Sequence, residues 1–323
     1  MKEEDLMNFK GLLEKEERWT VVGHSIPDGD CVGAVTALYL VLANLGKKVT
    51  AVIEDGVPET YSFLVGAERI RSWLDLPEIH PAVVYVDCSD QERVGDRVEP
   101  HLRNRKITVN IDHHISNLFF GDLNLVDCES SSASELVYDI LKQLDIPVDK
   151  DVASALYCGI VMDTGSFQYS STRPKTHRLA AELMEKGIDT ELIRTSLFES
   201  KSRTEMEVLR AALSTLTYSQ DGLMAWMHLK YEDLKRMGAE DLHFEGIINF
   251  ARNVKGVELA ILFREISPGK VKVGFRSRNQ LDVNQLAAIW GGGGHSRAAG
   301  ALLNGELDKV MQTVIEVCRG RLT

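Results

Sequence analysis

The stretch Asn110-Ile-Asp-His-His114 sets an acid and two adjacent imidazoles at the end of the apolar run 107–111. Such a run reads as a buried strand, and strand ends are where open α/β sheets place their chemistry. Neighbouring histidines can divide labour there. A neutral one binds a metal, and the other holds or protonates a substrate oxygen. Taken alone, the pair better fits two polar loop residues. Three further segments tip the balance: His24-x-x-x-Asp28-x-Asp30, Asp87 and Asp163, each expected at the end of a strand or helix. The pooled side chains are imidazoles and carboxylates without thiolate. That donor set suits Mn²⁺ or Mg²⁺ better than structural zinc. It also exceeds what one ion needs, and a single carboxylate bridging two ions would use it economically. A capping role for Asp30 and a turn role for Asp87 are the structural alternatives; the shared location of all four segments favours the metal reading.

A second constellation joins the glycine stretch Gly291-Gly-Gly-Gly-His-Ser-Arg-Ala-Ala-Gly300 to Phe275-Arg276-Ser277-Arg278. Glycines let a backbone approach a ligand, and their N–H groups can face an anion. Gly293 and Gly294 stand beside His295 and Arg297, which add donors, and arginine forks match phosphate oxygens. A flexible turn beside surface arginines is the plain alternative. With His and Arg inside the loop and Arg276, Ser277 and Arg278 on a preceding strand, a phosphate or nucleotide cradle is the better reading. It is not a P-loop, because no Gly-Lys-Ser/Thr follows, and no early strand feeds it as a dinucleotide fingerprint requires.

The elements that must position these residues follow from periodicity. Residues 2–17 read as an amphipathic helix, 19–22 as a buried strand, 23–30 as a turn-rich loop and 31–45 as an apolar helix closed by Gly46. Strands are expected at 49–53, 82–86 and 107–111, and helices at 130–144, 151–162, 174–186 and 189–198. This alternation predicts a mostly parallel sheet with helices on both faces. Residues 202–216 read as a helix polar enough to connect. Beyond them, 224–229, 257–264 and 270–276 alternate like strands of an antiparallel or mixed sheet, followed by helices at 283–290 and 306–319. The expected organisation is therefore α/β throughout. It has a catalytic domain over 1–190, a helical connector over 191–218 and a smaller mixed-sheet domain over 219–323.

Composition bounds the function. A length of 323 residues suits two domains. The net charge of −11 argues against a broad grip on long nucleic acid, while leaving room for a small anionic substrate where cations reverse the field. No stretch is long and apolar enough to span a membrane, and the N-terminus lacks the pattern of a signal peptide. Five scattered cysteines without Cys-x-x-Cys spacing read as free thiols in a reducing cytoplasm. Cys31 and Cys88 follow candidate ligands and are expected to pack beside the site.

The segments Gly23-His-Ser-Ile-Pro-Asp-Gly-Asp30, Val86-Asp87, Ile111-Asp-His-His114 and Gly159-Ile-Val-Met-Asp-Thr-Gly-Ser-Phe167 resemble the motifs of the DHH phosphoesterases. Gly291–Gly300 resembles the DHHA1 domain. The resemblance covers nearly the whole chain and is nearest to the compact bifunctional oligoribonuclease and 3′-phosphoadenosine-5′-phosphate (pAp) phosphatase type. It implies that His24, Asp28 and Asp87 hold one Mn²⁺, and that Asp30, Asp87, His113 and Asp163 hold another, with Mg²⁺ or Co²⁺ as substitutes. His114 would contact the scissile phosphate, and Asp112 would orient a histidine. Arg276, Ser277, Arg278, Gly293, Gly294, His295 and Arg297 would bind the rest of a short RNA or pAp. A cleft between domains would close over the substrate and measure its length. One departure is Met162, which precedes Asp163 where a smaller or polar residue is expected.

Two other readings compete. An exopolyphosphatase, or a phosphodiesterase of linear or cyclic dinucleotides, would lack or share a base-stacking surface, for which His243, Phe244 and Phe250 are candidates. A non-catalytic nucleotide sensor would have lost a metal ligand, and none is missing. Oligomeric state, including a homodimer, is left open by the sequence.

Overall fold

The computed structural model describes residues 2–76, 78–240 and 246–322. His243 and Phe244 lie outside the described residues. The chain divides into two compact units, Met1–Ser200 and Lys201–Thr323.

The first unit is built on six strands: β1 (Arg18–Val22), β2 (Lys48–Val52), β3 (Ile70–Arg71), β4 (Ala82–Val86), β5 (Ile107–Asp112) and β6 (Leu123–Val126). Their order is β3-β2-β1-β4-β5-β6, with every pairing parallel. Every residue of β4 is buried, as expected for a central parallel strand covered on both faces. The helices are α1 (Glu3–Lys15), α2 (Gly29–Asn44), α3 (Ala133–Gln143), α4 (Lys150–Asp163), α5 (Pro174–Glu185) and α6 (Thr190–Phe198). Both faces of the sheet carry helical cover, but of unequal kind. Buried residues of α1 to α4 share one core with Trp19, Val21, Val84 and Ile111. Val22, Val52, Val83 and Tyr85 on the other face meet Val94 and Leu102, which belong to short 3₁₀ turns, and Val98, which caps the second of them.

A parallel sheet delivers every strand's carboxyl end to one edge, so the segments after β1, β4 and β5 emerge side by side. Two helices complete the edge. Asp28 caps α2, accepting from the Asp30 and Cys31 N–H groups at 3.0 and 3.1 Å. Asp163 is the last residue of α4. Asp30 and Asp163 can meet because α2 and α4 touch through glycines. A Cβ on Gly33 would stand 2.5 Å from the Ala155 carbonyl oxygen, and one on Gly159 would strike Ser134 Oγ and Asp30 Oδ1.

The second unit begins with α7 (Arg203–Ser214), which buries Val208 and Ala212. It continues through β7 (Thr217–Tyr218), β8 (Met224–Leu229), α8 (Tyr231–Arg236), α9 (Ile247–Arg252), β9 (Leu259–Ser267), β10 (Lys270–Ser277), α10 (Val283–Ala288), β11 (Gly293–His295), β12 (Ala298–Asn304) and α11 (Leu307–Leu322). The sheet runs β11-β12-β10-β9-β8-β7, with β8 and β9 parallel and the other pairs antiparallel. Along β10 buried residues alternate with more open ones, the signature of one face on a core. The glycine stretch is not the open loop its composition suggests. It folds as a hairpin, β11 against β12, in which a Cβ on Gly292 or Gly294 would collide with the opposing backbone.

Two substitutions separate glycines held by packing from one that is not. Gly33→Ala should overpack the α2–α4 contact and cost about 1–3 kcal/mol, lowering the melting midpoint by several degrees. Gly11→Ala, inside α1 with nothing within 4 Å of its Cβ position, should instead stabilise by about 0.5–1 kcal/mol. Calorimetry on the two variants checks the opposite signs; equal midpoints would refute the close-contact account.

Candidate metal centre

Asp87 occupies the middle of the sheet edge. It follows β4 directly, its backbone is left-handed at φ 57°, and its N–H donates to the Ile111 carbonyl at 3.0 Å. The residue is only 2% exposed. Around it stand three imidazoles. His24 Nε2 lies 3.4 Å from Asp87 Oδ2, His113 Nε2 3.6 Å from Oδ1 and His114 Nδ1 3.5 Å from Oδ1. His24 Nε2 also lies 3.9 Å from Asp28 Oδ1, and His113 Nε2 lies 3.9 Å from Asp30 Oδ2 and 3.5 Å from Asp163 Oδ2.

Each member is held by a specific local device. His24 Nδ1 sits 2.8 Å from the Ser25 carbonyl. A carbonyl only accepts, so Nδ1 carries the proton and Nε2 is left toward the carboxylates. Asp30 does not cap its own helix. Its carboxylate crosses to the start of α3 and accepts from the Ala133 and Ser134 N–H groups at 2.6 and 2.9 Å, where the helix dipole favours negative charge. Asp163 ends α4 before Gly165, Ser166 and Phe167, all left-handed. Met162 packs where Gly29 leaves room, since a Cβ there would overlap its side chain.

His114 belongs to a buried chain of polar groups. Its Nδ1 donates to Asp112 Oδ1 at 2.7 Å, and Asp112 Oδ2 accepts from Asn117 Nδ2 at 2.5 Å. Asn117 Nδ2 also donates to Asn110 Oδ1 at 2.8 Å. Sequence reading passed over Asn117 and gave Asn110, on β5, no role of its own. An asparagine in a loop gives no periodic or motif signal, although its position soon after a histidine pair could have raised the question.

Burial and charge act on these groups together. Burial disfavours a charged His24, yet the acidic groups Cys31 and Asp87 facing it push its pKa up to about 12. Burial likewise opposes the charge on His113, and Asp87, Asp163 and Asp30 drive its pKa well up. Burial pushes Asp30 up to about 7, helped by Asp87. Asp163 is raised by burial and by Asp30. Burial also works against the Asp87 carboxylate, but His113 and His24 hold it well below the usual range.

Three overlapping groups have ligand atoms within 4.8 Å of one another: His24–Asp28–Asp87, Asp30–His113–Asp163 and Asp87–His113–His114. Asp87 Oδ1 is buried and has no hydrogen-bond partner among the described residues. An orphaned carboxylate oxygen is costly, and cations facing it would remove the cost. The donors, carboxylate and imidazole without thiolate, fit a divalent cation.

In the second unit, Arg276 on β10 pairs in register with Ala298, and its Nη1 donates to the Phe275 carbonyl at 3.0 Å. Ser277 is buried and its N–H donates to the Arg297 carbonyl at 3.2 Å. Arg297 Nη1 donates to the Leu281 carbonyl and Arg278 Nη1 to the Val254 carbonyl. The Gly294 N–H is engaged by Asn284 Oδ1 at 2.9 Å, and His295 closes β11 opposite Ala298. Glu258 accepts from the Asn279, Gln280 and Leu281 N–H groups, fixing the turn after Arg278. Asn284 and Glu258 are further residues that sequence reading missed. Phe250 is half exposed on α9.

A parallel sheet whose carboxyl edge gathers buried carboxylates and imidazoles is the framework of a metal-dependent hydrolase. Residues 18–160 match the model of the DHH family, N-terminal domain, and residues 231–320 match the DHHA1 domain. The chain is 32% identical to the bifunctional oligoribonuclease and PAP phosphatase NrnA of Thermus thermophilus, over 94% of this chain and 90% of the relative. It is 28% identical to the Bacillus subtilis protein of the same description, over 92% and 93%. Among solved structures, an exopolyphosphatase-related protein from Bacteroides fragilis superposes with a TM-score of 0.93 at 25% identity, covering 99% of this chain and 98% of that one. The chain belongs to the DHH family of phosphoesterases, in the branch that carries a DHHA1 domain. No helix among the described residues is long and apolar enough to cross a membrane.

Metal binding should release protons. His24, His113, Asp30 and Asp163 all have raised pKa values in the protein without ions, whereas ligation needs neutral imidazole and ionised carboxylate. A cation therefore competes with protons, and its apparent affinity should rise with pH. Titration calorimetry with Mn²⁺ at pH 7 in two buffers of different ionisation enthalpy should give different heats. Identical heats in both buffers would contradict the assignment.

Proposed function

We propose that this hydrolase cuts short oligoribonucleotides to mononucleotides and removes the 3′-phosphate of pAp to give AMP, with two Mn²⁺ ions bound at the sheet edge. The observation that carries the reading is the buried Asp87 carboxylate, ringed by His24, His113 and His114, with one oxygen that makes no hydrogen bond among the described residues. His24, Asp28 and Asp87 would hold one ion, and Asp30, Asp87, His113 and Asp163 the other. When bound, such ions bring the deprotonation of water near neutral pH and offset phosphate charge. The substrate class is supported by the Thermus and Bacillus relatives, described as oligoribonuclease and PAP phosphatase.

The remaining roles belong to the protein. His114 commits Nδ1 to Asp112, so Nε2 is the atom that would meet the leaving oxygen and give it a proton. Asp112 fixes the ring and tautomer, and Asn117 fixes Asp112. Arg276, Ser277, Arg278, Gly293, Gly294, His295 and Arg297 would bind phosphate and sugar away from the reacting atom. The cysteines are all free, in keeping with a reducing cytoplasm, and a homodimer is compatible with this reading. The Bacteroides neighbour, described as exopolyphosphatase-related, favours polyphosphate as the second reading.

Asp87→Asn should keep the melting midpoint within a few degrees and lower Mn²⁺-dependent turnover at least about a thousandfold. Near-normal turnover would remove Asp87 from the centre.

Length selection tests the substrate class. A net charge of −11 leaves no long basic track, so RNA of about two to five nucleotides should be cut much faster than RNA of a few dozen. Initial rates against length, with Mn²⁺ at fixed ionic strength, measure this. Equal kcat/KM for a dinucleotide and a 24-mer refutes the preference. Inertness on all oligonucleotides, with brisk release of phosphate from polyphosphate, establishes the second reading instead.

A further inference from the structure

The loops that carry His24 and His114 also carry large apolar side chains that the chemistry above does not use. Ile26, between His24 and Asp28, is 66% exposed, and Ile115, Leu118 and Phe119, just after His114, are 91%, 71% and 60% exposed. Single exposed apolar residues are ordinary. These differ in two respects. Ile26 and Phe119 are both left-handed, at φ 54° and 51°, a conformation that is an outlier for a β-branched or bulky residue and costs free energy to hold. Both are also pinned. The Ile26 N–H donates to Asp55 Oδ2 at 2.9 Å, and the preceding Ser25 N–H donates to the Arg93 carbonyl at 2.7 Å. The Phe119 N–H donates to Asn117 Oδ1 at 2.7 Å, and the Leu118 N–H to the Ser89 carbonyl at 2.8 Å. Asn117 thus ties the Phe119 loop to the carboxylate that orients His114.

Strand order locates these side chains. β1 and β5 are the two neighbours of β4, so the Ile26 loop and the 115–119 loop leave the sheet on either side of Asp87. We propose that Phe119, flanked by Ile115 and Leu118 and faced from the other side of Asp87 by Ile26, forms an apolar rim on which a nucleobase next to the scissile phosphate stacks. This inference rests on the nucleotide reading of the site. A base is the occupant the position selects. It is a flat apolar surface attached to the phosphate that the neighbouring centre handles, and an aromatic ring stacks on any base without regard to sequence. The rim would bind the substrate and set its orientation, so Phe119 is a specificity residue rather than a participant in bond cleavage.

The test compares two substrates: the dinucleotide pApA and the same backbone lacking both bases. Phe119→Asn keeps a residue that tolerates the left-handed backbone and removes the ring. It should raise KM for pApA about tenfold, within the range of one base–aromatic stack, with kcat changed less than about twofold and the base-free substrate unaffected. Phe119→Tyr, which keeps the ring, should retain the wild-type KM. Ile115→Ser, a change at the most open position, should move KM in the same direction if Phe119→Asn proves unstable. An unchanged KM for pApA, or an equal loss on both substrates, overturns the rim. Dissociation of a wild-type dimer by Phe119→Asn in sedimentation velocity also overturns it, by assigning the patch to a subunit contact. If the wild-type protein cuts neither dinucleotide, the nucleotide reading fails first and the rim falls with it; that result is visible before any variant is made.

Discussion

The structure is organised by the difficulty of keeping several carboxylates close together out of water. Like charges about 4 Å apart repel by about 4 kcal/mol at an effective dielectric of 20, and burial adds a desolvation cost for each. Asp87, Asp30 and Asp163 accept this arrangement because positive ends surround them. Three imidazoles face Asp87, and the first N–H groups of α3 face Asp30. What remains is an Asp87 Oδ1 that makes no hydrogen bond, a deficit of donors that the imidazoles at 3.5 and 3.6 Å do not fill. A site with that deficit is preorganised for cations, since the protein has already borne the cost of gathering the ligands.

The rest of the first unit can be understood as support for that concentration of charge. Parallel pairing brings the tips of β1, β4 and β5 to one edge. Glycines at 33 and 159 draw α2 and α4 together, so that a residue at the start of one helix faces the end of the other. The left-handed backbone at Asp87 turns its carboxylate into the edge rather than along the strand. The buried chain Asn110–Asn117–Asp112–His114 then holds the second imidazole in a fixed tautomer while the first is occupied with carboxylates. Adjacent histidines can do different work because their partners differ.

The second unit meets the same need with less charge. Its arginines are anchored by backbone carbonyls and its glycine hairpin by Asn284. Glycine at 292 and 294 is required there by close approach of the opposing strand, so the composition that suggests a loop is a consequence of tight pairing. Exposed apolar residues follow a comparable logic in the first unit, where Ile26 and Phe119 are kept in unfavourable backbone states by a hydrogen bond on their own N–H and one on the preceding residue's N–H.

Much of this was legible in the chain itself. The apolar runs at 82–86 and 107–111 end in Asp87 and Asp112-His-His114, and a buried parallel strand cannot hide a charge anywhere but at its end, so strand and site were readable together. The donor types likewise followed from composition, because acids and imidazoles without thiolate select hard divalent cations. The short strands β3, β6, β7 and β11 and the glycine-bearing β12 were not legible, since brief or glycine-bearing segments carry too little periodicity. Nor was the true role of Asp30, which sequence position marks as near a cap but which spends its carboxylate on α3. That contact joins residues over a hundred positions apart, as does the crossing of α2 with α4 at Gly33 and Ala155, and the imidazoles around Asp87 likewise come from separate segments of the chain. Local pattern determined which residues would be polar, where strands end and which chemistry they could hold. Only the tertiary structure decided which of those groups face one another, because contacts between distant segments depend on how the helices pack and on the strand order, neither of which is written in any local window of the sequence.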